Sequence, residues 1–104
     1  MKIIYNNILP FPGFKAINLF GVLFVRKGCT MRDTDLNHEA IHTAQMKEML
    51  YVFFYLWYVI EWGLRLFKKG NAYRNITFEQ EAYNNQSYLM YLKERQSFAW
   101  LDYL

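Results

Sequence analysis

The apolar positions change period along the chain. Residues 15–27, KAINLFGVLFVRK, alternate loosely and are rich in Val, Ile and Phe, which predicts strand. Gly21 marks a bend or bulge within it, giving one kinked strand or a short hairpin, and Gly28 ends it. Ahead of it, residues 1–14 read as an irregular arm, because Pro10, Pro12 and Gly13 forbid helix. Residues 29–37 are polar and turn-like, with Thr34 or Asp35 placed to cap a helix. From Leu36 to Trp62 there is neither Pro nor Gly, which predicts one long helix, kinked at Gly63 and closed by Lys68, Lys69 and Gly70. Residues 70–76 are a loop. Thr77 opens a second long helix through a Thr77/Gln80 capping box, running to Lys93 or Arg95. The tail, Ser97 to Leu104, is expected to dock Phe98, Trp100, Leu101, Tyr103 and Leu104 on the core. The pattern describes a mostly helical α+β domain over residues 1–104: a short N-terminal strand or hairpin, then two long helices.

Composition narrows this picture. A chain of 104 residues with 54% hydrophobic content folds as one domain and is not disordered. A net charge of +3 gives no footprint for nucleic acid, and the single cysteine, Cys29, excludes a disulfide framework and a cysteine-rich zinc finger. Cys29 reads as structural. Aromatic residues reach 20%, which implies a wide apolar surface. They crowd the stretch Leu50 to Phe67, whose basic end carries Arg65, Lys68 and Lys69. Such a segment suits a membrane interface or a homodimer contact. Its uncharged run, Leu50 to Ile60, is too short to cross a bilayer, which takes about 20 residues. The N-terminus has no export signal, so a cytoplasmic or peripherally membrane-attached location is expected.

The strongest chemical signal is His38-Glu39-Ala40-Ile41-His42. On a helix, residues four apart share a face, so both imidazoles can reach one tetrahedral zinc ion. Glu39, one position on, stands beside the ion, where it can take a proton from water and pass it to a leaving amine. The chain's only two histidines are both in this motif. A catalytic zinc wants a third protein ligand, and without another histidine a carboxylate must supply it. Glu79 and Glu81, in the first turns of the second helix, are the candidates. They point about 200° apart, so only one can face the ion.

His38 to His42 followed by Phe78-Glu79-x-Glu81-Ala82-Tyr83 resembles the gluzincin arrangement of zinc metallopeptidases. That resemblance implies a zincin-like fold and peptide-bond hydrolysis, with His38, His42 and Glu79 holding zinc. It makes Glu39 the general base and then acid, and leaves Glu81 as the alternative third ligand. The pattern's supporting Asp falls on Tyr83, whose hydroxyl is then a candidate donor to an oxyanion. The chain also resembles a family of small bacterial proteins through His38 to Glu48, Ala72 to Tyr83 and Phe98 to Leu104.

Gln45, three residues after His42, is placed to bond a ligand or substrate, whereas Glu48 reads as a solvated position. Arg74 is a candidate partner for Glu79, Glu81 or a substrate carboxylate. The sequence therefore leads to a zinc metallopeptidase acting on a peptide or protein. The alternative is a non-catalytic zinc-binding protein, membrane-associated or dimeric. An open metal position facing a groove favours the enzyme; a Glu39 locked in a salt bridge favours the alternative.

Overall fold

The computed structural model describes residues 1–8 and 15–104. Three strands, β1 (Lys2–Asn6), β2 (Ala16–Leu19) and β3 (Val22–Arg26), precede four helices: α1 (Asp33–Glu48), α2 (Val52–Arg65), α3 (Thr77–Asn85) and α4 (Tyr91–Glu94). A 3₁₀ turn at Ala99–Tyr103 follows. The fold is α+β and mostly helical, as expected.

The strand-like stretch resolves as a hairpin. Phe20 and Gly21 both have positive φ, 53° and 86°, which is the type I′ geometry that matches strand twist. Gly21 is the residue for which that conformation is easy. Phe20 is held there by its neighbours: its amide donates to the Tyr55 hydroxyl at 3.0 Å, and its ring packs on Tyr55. The sheet order is β1-β3-β2, with β1 parallel and β2 antiparallel to β3. Leu23 and Val25 of the central strand are fully buried.

The irregular arm needs correction over Lys2–Asn6, which is strand β1. Pro10 and Pro12 lie beyond it in the sequence, and Ile3-Ile4-Tyr5 is a β-prone run that satisfies the second edge of β3. The remainder of the arm, residues 9–14, lies outside the described residues.

The single helix from Leu36 to Trp62 is also corrected. It begins at Asp33, capped by Arg32 rather than by Thr34 or Asp35. Asp35 sits at the third helical position, where its carboxylate accepts the Arg32 amide at 3.0 Å and pairs with Lys15 and the Arg32 guanidinium. The helix stops at Glu48. Tyr51 N–H donates to Met46 C=O (2.7 Å) and Leu50 N–H to Lys47 C=O (3.3 Å), the two bonds of a Schellman motif. Leu50 therefore takes the left-handed position, φ 53°, that glycine normally fills. Tyr51, φ 60°, completes the reversal into α2. Gly63 lies inside α2 and does not interrupt it.

The second predicted helix is likewise shorter. Its start has no capping box: Thr77 donates both its amide (3.0 Å) and its hydroxyl (2.7 Å) to Glu61 of α2, and Gln80 reaches Asn75 C=O. A carboxylate from a neighbouring helix has taken the place of the local cap. The end is set by Asn37 of α1, whose Nδ2 reaches the carbonyls of Asn85, Gln86 and Tyr88 at 3.2, 2.9 and 3.0 Å. Those acceptors leave the helical path, and only the short α4 follows. In the tail, Trp100 is buried against Phe78 and Trp57, and Tyr103 bonds Asn85, but Phe98, Leu101 and Leu104 stay exposed.

Candidate metal centre

The face that α1 turns inward is largely polar. Asn37, His38, His42 and Gln45 are buried beside Ile41 and Met46. Polar groups in such positions must find partners, and the first turns of α3 supply them. Gln45 Nε2 donates to Phe78 C=O at 3.0 Å and to Glu81 Oε1 at 2.9 Å, which aligns α3 on α1. That alignment brings Glu79 onto the two histidines.

His38 Nε2 and His42 Nε2 lie 3.0 and 2.9 Å from the same atom, Glu79 Oε1, and 3.2 Å from each other. All three residues are buried, and the group could hold a metal ion. A tetrahedral ion bonded at about 2.0–2.1 Å keeps its donors about 3.3 Å apart. The triangle is a few tenths of an ångström tighter, as suits nitrogens and an oxygen that share protons. Burial alone would depress His42, but the charge of Glu79 and the hydrogen bond to it carry the imidazole up to about 9. Burial would raise Glu79, but His42 and His38 hold its carboxyl well below the usual range.

Each member of the triangle is oriented from behind. His42 Nδ1 donates to Gln45 Oε1 at 2.7 Å, and His38 Nδ1 to Gln86 Oε1 at 2.7 Å. Both Nδ1 atoms therefore carry a proton, and it is Nε2 of each ring that faces Glu79 Oε1 and would offer its lone pair to an ion. The Gln45 amide is itself fixed, because its nitrogen already serves two acceptors. Glu79 Oε2 accepts from the Tyr58 hydroxyl at 2.7 Å, which leaves Oε1 for the histidines. Burial pushes the Tyr58 phenol up, so it remains the donor.

Glu81 points the other way. It is fully buried against Arg95, Tyr91 and Gln45, with Arg95 Nε at 2.6 Å. Arg95 also forms a two-pronged pair with Glu48, at 2.9 Å in both arms. Glu48 is thus an ion-pair partner rather than a solvated position, and Arg95, not Arg74, braces Glu81. The Arg74 guanidinium lies 4.3 Å over the ring of Tyr83, and that ring meets His38 edge-on.

A cavity of about 360 Å³ reaches the site, lined by Asn18, Leu19, Glu39, His42, Tyr58 and Glu79 among others. Asn18 Nδ2 donates to Glu39 C=O and to Thr43 Oγ1, both at 3.0 Å, and so ties β2 to the turn of α1 that holds Glu39. Burial lifts the Glu39 carboxyl above its ordinary value, the two histidines pull it back, and Glu79 adds to the lift. Such a group is suited to exchanging a proton.

Spacing on the sequence picks out His38, Glu39 and His42 and leaves Glu79 and Glu81 open as the third donor, between which the resemblance favours Glu79. It does not pick out Gln86 or Tyr58 as supports, nor Gln45 as the brace of His42. Gln86 carried one signal: it lies seven positions after Glu79, on the same side of α3. Tyr58 carried none, since only the packing of α2 brings it to the site. No family model matches the chain, and neither a curated protein nor a solved structure matches it.

Proposed function

We propose that the chain is a zinc-dependent metallopeptidase. The observation that carries this reading is the shared cavity: His42 and Glu79 of the donor triangle, the general-base candidate Glu39 and strand β2 all line it. His38, His42 and Glu79 would hold the ion. When bound, zinc acidifies water and polarises a peptide carbonyl. Glu39 accepts the proton of the attacking water and returns it to the leaving amine. Among the described residues β2 pairs only with β3, so its other edge can take an extended peptide as an added strand and lay it along the cavity. Glu39 opening on this cavity favours catalysis over a purely structural metal.

Metal analysis of protein purified without a histidine tag tests the premise. One zinc per chain is expected. His38→Ala, His42→Ala and Glu79→Gln should lose it, and Glu81→Gln should keep it. Glu39→Gln should keep the metal and lose hydrolysis of a peptide library. A wild-type protein that binds no metal refutes the site. A metal-loaded wild type as inert as Glu39→Gln assigns the chain to non-catalytic zinc binding.

A further inference from the structure

Helix α2 is built inside out. Its outward arc holds Val52, Phe53, Leu56, Val59, Ile60 and Leu64, each between 54% and 63% exposed. At about 100° per residue these span about 140° of the helix, without a polar side chain among them. The helix's polar groups face the protein instead: Tyr58 reaches Glu79, and Glu61 is bonded to Thr77, Trp57 and Arg65. A surface helix ordinarily shows the reverse arrangement.

We propose that this face docks on an anionic lipid bilayer, with α2 lying in the plane of the interface. Three observations select the occupant. From Val52 to Leu64 the face is about 18 Å long, and no helix among the described residues is long and apolar enough to cross a membrane. The face therefore fits an in-plane position. Immediately after α2 stand Phe67, 92% exposed, and the exposed Lys68 and Lys69, an apolar anchor with two cations. Trp62, 44% exposed, edges the arc, where an indole suits the headgroup level. Charge then decides against a second copy of the chain. Glu61 is the only acid in α2 and is engaged inside the protein, so a copy seated on this face offers the lysines no carboxylate from α2. Lipid phosphates do. The same helix lines the cavity with Tyr55 and Tyr58, so docking would hold the cavity beside the bilayer. The proposal does not depend on the metal.

Flotation of the full chain with vesicles tests it, using phosphatidylcholine alone and phosphatidylcholine mixed with phosphatidylglycerol. Wild type should float with the mixed vesicles and much less with the neutral ones, and added salt should weaken it. Leu56→Gln with Ile60→Gln, both at exposed positions, should reduce partitioning about a hundredfold. Lys68→Gln with Lys69→Gln should reduce binding to the mixed vesicles about thirtyfold. Wild type that stays off both vesicle types overturns the proposal, as does an Leu56/Ile60 variant that floats like wild type. A dimer in sedimentation equilibrium that this variant dissociates, without vesicle binding, assigns the face to a second copy. A lysine variant that binds both vesicle types as wild type does refutes the anionic preference.

Discussion

Gln45 shows how one side chain fixes the chemistry of another. Its nitrogen is committed to Glu81 and Phe78, its oxygen is therefore turned to His42 Nδ1, and His42 Nε2 is turned to Glu79. Outer partners of this kind typically hold ten- to a hundredfold of a site's metal affinity. Gln45→Met keeps the volume and removes both amide bonds. Its zinc affinity, measured by chelator competition, should fall by that factor. Stability should drop by about 1–3 kcal/mol as Phe78 C=O and part of Glu81 lose their donor. Gln86→Ala, at the half-buried end of α3, should also weaken zinc but cost less stability. Unchanged affinity in both variants would reduce these amides to packing. The two histidines were legible because helical spacing alone places His38 and His42 on one face, whereas spacing left Glu79 and Glu81 open and only the resemblance favoured Glu79. The braces were not, because Tyr58 and Gln86 reach the site only after α2 and α3 have packed.

Helices α1 and α2 depart from ordinary amphipathicity in opposite senses. α1 buries Asn37, His38, His42 and Gln45, while α2 exposes Leu56, Val59 and Ile60. An apolar pattern cannot locate the boundary between two such helices. Nor can a search for Gly or Pro, since the break falls at Leu50, a residue that usually continues a helix. The hairpin was legible because Gly21 stands where its turn needs a positive φ. Leu50 instead occupies the left-handed position against its steric preference, at a cost of roughly 1–2 kcal/mol. Its side chain is 70% exposed, so little packing opposes a change. Leu50→Gly should therefore stabilise the fold by about 0.5–1 kcal/mol, part of the gain being offset by the greater backbone freedom of glycine when unfolded. Thermal unfolding should show a raised Tm. A lowered Tm would mean that the Leu50 side chain contributes more than its exposure implies.

Arg95 joins parts of the molecule far apart in sequence. Its guanidinium holds Glu48 at the end of α1 and Glu81 in α3, while Glu48 also accepts the Phe98 amide at 2.6 Å, where the tail turns towards Trp100. The side chains of Arg95, Glu48 and Glu81 are 5%, 13% and 0% exposed. Bonds from Arg95, Gln45 and Tyr91 keep the Glu81 carboxyl below its ordinary range although burial would raise it. Replacing all the charges with apolar groups can be nearly neutral, but removing one partner strands the others. Arg95→Met leaves two carboxylates facing each other out of water. It should cost about 3–5 kcal/mol, a large share of the stability of about 5–15 kcal/mol that small domains possess. Urea unfolding should show a lowered midpoint at similar slope. Adding Glu81→Gln to Arg95→Met should recover part of the loss, because the most deeply buried of the stranded charges is then gone. Recovery of that kind separates a charge penalty from lost packing of the arginine stem, which Glu81→Gln cannot restore. A midpoint for Arg95→Met close to that of wild type would mean that water reaches the pair, and that the tail is held by Trp100 in its aromatic pocket rather than by Arg95.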